Sequence, residues 1–192
     1  MIKKILLVPS LAILLYANIA TAVPFAVDFN SAFFTDTVTA AGSSDYNVSR
    51  FATDAAIGLS LAQDESLFIG ASLFSGSSSQ GDTTKTTWKT TDYGLRIIWF
   101  IDRIKQWGLG FTYNLAATGT YENAGTTEYW KGSSYKFDFG FTPVLFHKLY
   151  FGFRINYYMA QYNQSSSDNS TFVSESNSKS FVYPSIYLGF RY

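Results

Sequence analysis

The chain is 192 residues long, 47% hydrophobic, 19% aromatic and 15% charged, with no cysteine and a formal net charge of zero. That suits one ordinary domain. After residue 22 the apolar residues never gather into long runs, so a multi-span helical membrane protein is excluded. Lack of cysteine rules out disulfide frameworks, thiolate metal sites and lipid attachment through an N-terminal cysteine, and the balanced, scattered charge gives no reason to expect nucleic acid.

Met1-Ile2-Lys3-Lys4 forms a positive start, Ile5 to Ile19 a short apolar core, and Ala20-Thr21-Ala22 a small-x-small processing site. Residues 1–22 therefore read as a cleaved secretory signal peptide, and 23–192 as the mature domain. In that domain apolar residues recur at every second position, the period of strands with one apolar face. Eight strands are expected: Pro24 to Thr35, Phe51 to Ala62, Leu67 to Ser75, Trp88 to Phe100, Trp107 to Ala116, Tyr135 to Leu145, Leu149 to Ala160 and Phe181 to Tyr192.

Short links (Gln63 to Ser66, Ile101 to Gln106, Phe146 to Lys148) alternate with long polar ones (Asp36 to Arg50, Gly76 to Thr87, Ala117 to Ser134, Gln161 to Ser180). In an up-and-down meander this puts every long loop at one end, the asymmetry of transmembrane barrels, and the strands have the length needed to cross a bilayer at a tilt. The polar face collects Gly58, Gly70, Gly94, Gly108, Gly110, Gly140, Gly152 and Gly189. It also carries Asp28, Asp54, Asp92 and Asp138 with Arg96, Lys136, Arg154 and Arg191. Glycines weaken a solvated strand face but make room for long side chains in a narrow lumen, and four acids facing four bases suit an internal ion-pair network. Asp138 with Arg154, and Asp28 with Arg191, are the expected close pairs.

The last residues, Ile186-Tyr187-Leu188-Gly189-Phe190-Arg191-Tyr192, alternate and end on an aromatic. They resemble the C-terminal strand of bacterial outer-membrane proteins, and the whole mature chain resembles the small eight-stranded barrels of the OmpX and OmpA-barrel type. The resemblance implies an all-β, eight-stranded antiparallel up-and-down transmembrane barrel in the outer membrane of a Gram-negative bacterium. It also implies outer-membrane lipid and lipopolysaccharide as surroundings, and the barrel-assembly machinery as a partner reading the last strand. Unlike full-length OmpA, no periplasmic peptidoglycan-binding domain is expected after Tyr192.

Aromatic belts are expected where rings meet the headgroups. Trp99, Trp107, Phe25, Tyr150 and Tyr192 fall at the short-turn end, and Phe51, Trp88, Trp130, Tyr135, Tyr157 and Phe181 toward the long-loop end. The one histidine, His147, sits in a short turn, which disfavours a Ser-His esterase or a lipid acyltransferase working at the outer leaflet. With no metal-ligand spacing or nucleotide motif, no cofactor or metal is expected. The expected function is a monomeric, non-enzymatic surface protein whose mobile polar loops contact an extracellular ligand, or which supports the membrane structurally. Tyr121, Tyr129, Tyr162 and Phe172 are the candidate loop contacts. Two alternatives make other demands: a lipid-modifying enzyme would need an outward catalytic constellation, and a small pore would need a lumen free of bulky and charged side chains.

Overall fold

The computed structural model describes residues 23–38, 46–81 and 85–192; the expected leader, residues 1–22, lies outside them. Among the described residues nine strands are formed: β1 (Phe25–Val38), β2 (Tyr46–Ser60), β3 (Leu67–Gln80), β4 (Thr86–Phe100), β5 (Trp107–Asn123), β6 (Thr126–Phe141), β7 (Val144–Phe146), β8 (Leu149–Ser166) and β9 (Val173–Arg191). β7 resumes β6 after a break at Thr142-Pro143, so the expected sixth strand is divided in two. The eight long strands form a ring of antiparallel pairs in chain order, closed by β6 on β8 and by β1 on β9. Closure gives each long strand a hydrogen-bonded neighbour on both sides over at least part of its length, the arrangement by which strands satisfy their backbone in a membrane.

Alternation sorts the side chains. Val27, Phe29, Ile57, Leu95, Phe139, Ile155 and Leu188 are among the large apolar residues exposed on the outside, while Asp28, Asp54, Asp92, Arg96, Lys136, Asp138 and Arg154 are buried within. Apolar residues outside and charges inside is the inverse of a soluble fold, and it fits lipid as the surrounding solvent.

The two ends differ. At one, the turns between β2 and β3, β4 and β5, and β7 and β8 are tight, and each places one residue in the left-handed region: Glu65, Lys105 and His147. The Asp64 and Asp102 carboxylates accept backbone amides of their own turns, from Ser66 and from Gln106 and Trp107 respectively. A Glu65–Lys105 ion pair at 3.1 Å ties the first two turns together.

At the other end the structure departs from expectation. The long links are mostly strand. The β5–β6 ladder continues to Asn123↔Thr126, so the expected loop from Ala117 to Ser134 is a hairpin closed by Ala124-Gly125. Both residues have positive φ, 48° and 82°, the pattern of a type I′ turn. The β8–β9 ladder likewise reaches Ser165↔Val173, leaving residues 167–172 as the connection. Ser, Thr and Asn in these segments favour loops by composition, but β-branched threonines and hydrogen bonding to an already paired neighbour carry the ladders on.

The closure seam is uneven. β1 and β9 pair only from Ala26↔Arg191 to Ser31↔Ile186. The next hydrogen-bonded rung would set Phe33 against Pro184, and proline has no N–H to donate, so the ladder stops there.

Candidate functional site

The interior is built in layers along the barrel axis. Nearest the tight turns, the Arg191 guanidinium lies between the Phe100 and Tyr150 rings, 3.8 and 3.6 Å from their centroids. It donates to the Lys105 carbonyl at 2.8 Å and to the Thr142 hydroxyl at 3.3 Å. The expected Asp28–Arg191 pair is not made. Arg191 is level with Ala26 across the seam, below Asp28, and its side chain runs toward the turns, where rings and a carbonyl receive it.

Above it sits the charge cluster. Asp138 takes a forked contact from Arg96, at 2.9 and 3.0 Å, a second from Arg154, and lies 3.9 Å from Lys136. Lys136 reaches Asp54 at 2.6 Å, and Arg96 approaches Asp28 at 3.9 Å while the Tyr187 hydroxyl donates to Asp28. Three acids and three bases are thus collected in one buried knot. Small residues make the room: the Asp138 carboxylate lies over Gly110 and the Arg154 stem over Gly140, where any Cβ would overlap them. Asn30 donates to Asp54 and Asn156 to Ser185, polar residues that share the inward parity and complete the layer.

Asp92 stands apart from the bases. Its carboxylate accepts the hydroxyls of Thr90 at 2.5 Å, Ser134 at 2.5 Å and Tyr158 at 2.6 Å, so a hydroxyl cage takes the place of the expected ion pair. Thr90, Ser134 and Tyr158 lie at the same alternating parity as the charges; the charge pattern gives no sign of the Thr90 and Ser134 hydroxyls.

The top of the lumen is closed by aromatic rings. Phe74 stacks on Tyr158 at 4.4 Å, Trp88 packs against Tyr158 and Phe181, and Trp130 lies between Tyr121 and Tyr162. Ala32, Ala52, Ala117 and Ala160 on the surrounding strands supply the space. Trp88 and Trp130 are therefore interior plugs and not belt residues; their parity points them inward, where their rings fill the upper lumen. Phe181 and Tyr150 also face the interior. Trp99, Trp107 and Tyr192 are exposed on the outer surface near the tight turns.

Of the candidate loop contacts, Tyr162 is buried and donates to Thr90 at 3.0 Å, which removes it from any external surface. Tyr121 is half-buried on Trp130. Tyr129 faces outward on β6, and the Phe172 ring receives the Lys131 ammonium at 3.6 Å from its centroid. His147 is exposed in its turn, its ring against Phe146. The lumen cavity beside Asp28 and Arg96 measures about 10 Å³, room for about one water, so the packed interior offers no continuous passage there.

No protein-family model matches the chain, and no curated protein matches it. Among solved structures it is similar to Neisserial surface protein A, at 12% identity over 87% of this chain and 95% of that one, with a TM-score of 0.48. It is similar also to outer membrane protein AlkL in lipid bilayers, at 12% identity over 92% and 95% with a TM-score of 0.45. A third is the beta domain of the Bordetella autotransporter BrkA, at 11% over 88% and 98% with a TM-score of 0.43. The chain's own closed ring, apolar outer girdle and charged interior make it a small transmembrane β-barrel of the outer-membrane type.

Proposed function

We propose that this is a non-enzymatic, monomeric surface barrel of a Gram-negative outer membrane, exported by a cleaved leader of residues 1–22. Its C-terminal segment, Ile186 to Tyr192, is the one offered to the barrel-assembly machinery, and lipopolysaccharide forms part of its surroundings. The hairpins face outward and carry the function, by contact with an extracellular ligand or another surface. One observation carries this reading: the strands continue past the apolar girdle as paired polar ladders, to Asn123↔Thr126 in β5–β6 and Ser165↔Val173 in β8–β9. A ladder held on a closed barrel presents its Thr, Ser and Asn side chains with little ordering left to do on binding. The filled lumen argues against a pore, and the outward end gathers hydroxyls and amides without a histidine to activate them.

The test is to shorten the hairpins, deleting residues 122–127 and 167–172 separately and together. The barrel is expected to stay heat-modifiable on gels while cell-surface binding falls. Unchanged binding after both deletions overturns the reading.

A further inference from the structure

A second feature lies on the outer wall. On β4, β5 and β6 two complete rungs stand side by side just beyond the girdle: Lys89↔Thr120↔Tyr129 and Thr91↔Thr118↔Lys131. All six side chains are on the outer face, so the lysines occupy opposite corners of a patch whose Cα diagonal is roughly 12 Å by strand geometry. Two lysine stems reach inward across that distance with ease. The β8–β9 connection adds a wall, with Phe172 against Lys131 and Asn169 beside it, enclosing a groove of about 370 Å³. Lysine, threonine, tyrosine and asparagine line the groove without a carboxylate among them. Glu122, the next outward residue of β5, is the acid closest along that strand.

The wall below continues the same feature. A shallow notch at Leu115, Ala116, Ser133 and Asn163 shares Thr118 and Lys131 with the groove. The β5 bulge between Asn114 and Ala117 shapes it. Further toward the tight turns, an apolar trough of about 590 Å³ runs across β5, β6, β8 and β9 between Phe111, Phe137, Phe139, Ile155, Tyr157 and Val182. A cationic, hydroxyl-lined groove above an apolar trough, at the border of the girdle, has the profile of an amphiphile lying along the wall.

We propose that this groove holds the phosphorylated sugar headgroup of an outer-leaflet glycolipid, with an acyl chain in the trough. Lys89 and Lys131 take the phosphate, the threonine hydroxyls meet the sugar hydroxyls, and the Tyr129 and Phe172 rings offer faces to the sugar ring. The inference rests on the outward orientation of the hairpins but not on what the hairpin tips contact.

The purified barrel, folded in nonionic detergent micelles, is titrated with bisphosphorylated lipid A and the bound lipid is counted by native mass spectrometry. Dephosphorylated lipid A, phosphatidylglycerol and inorganic phosphate are run in parallel. One bisphosphorylated lipid A is expected per barrel, with the other three bound far more weakly. K89Q/K131Q is expected to weaken binding on the order of thirtyfold, from about 1 kcal/mol per lysine. K148Q, in the β7–β8 turn, leaves it unchanged, and heat-modifiability shows that each variant folds. The proposal is overturned if dephosphorylated lipid A, phosphatidylglycerol or phosphate binds as tightly, or if K148Q weakens binding as much as the double variant. Lipid counting uses the full-length barrel and lipid alone, and deleting residues 122–127 removes no residue of the groove, so its outcome and that of the hairpin deletion at 122–127 are separable.

Discussion

Replacing Asp138 with asparagine removes the carboxylate that three bases share while keeping the side chain's shape. In the native knot Asp28, Asp54 and Asp138 balance Arg96, Lys136 and Arg154; Asp138→Asn leaves one positive charge uncompensated. Arg96 loses its forked partner at 2.9 and 3.0 Å, and Arg154 loses the only carboxylate it contacts among the described residues. Breaking a buried pair by deleting one partner costs about 3–5 kcal/mol, because the orphaned charge stays desolvated. With a urea dependence of about 2 kcal/mol/M, the unfolding midpoint in detergent is expected to fall by about 2 M. The four tryptophans supply the fluorescence signal and gel heat-modifiability confirms the folded end state. Adding Arg154→Met, which keeps much of the stem volume, restores the balance at two acids and two bases and is expected to recover about half of the loss. A midpoint shift below roughly 0.5 M for Asp138→Asn, or strictly additive losses in the double variant, would refute the idea of a single coupled knot.

Three further outcomes are expected. The barrel should show no stable single-channel openings in planar bilayers, and Trp88→Ala should not create them, because the charge knot still fills the lumen beneath the aromatic plug; large openings in either protein contradict this packing. Pro184→Val supplies the missing donor opposite Phe33 and should extend the β1–β9 ladder, read as slower amide exchange at Phe33; unchanged exchange means that proline is not what stops the seam. In the β8–β9 connection, the Ser170 hydroxyl, the Thr171 amide and the Ser166 hydroxyl hold the Asp168 carboxyl below its ordinary range. A depressed folded value means that this turn is stabilised above the unfolded carboxylate range and loses that support only as pH falls through the lower folded value. Amide protection of Thr171 should therefore hold from neutral pH to about pH 4 and vanish at all pH values in Asp168→Ala, which removes the acceptor, whereas protection independent of both contradicts the cap.

Much of this protein is legible in its alternation. Period two, the order of short and long connections, and the grouping of glycines with charges lead to a closed barrel with lipid outside, because glycines beside long charged side chains suit a strand face that lines a narrow lumen and not one that faces water. The same parity, applied consistently, also places Trp88, Trp130 and Tyr162 inside, since each shares it with Arg96, Asp138 or Arg154 on its own strand. Their height along the strands suggests a belt or a loop, but parity decides which way each ring faces. Other features have no local signature. A bulge at Leu115-Ala116 shifts the parity of upper β5 and turns Ala117 and Tyr121 inward. The ladders run on through serine and threonine because a paired neighbour is already there. Which base meets which acid depends on strand tilt and stagger, which set Arg191 between two rings, give Asp138 three partners and leave Asp92 to hydroxyls. Alternation is a property of each strand alone and can be read from it, whereas partners across the lumen are set only when the ring closes.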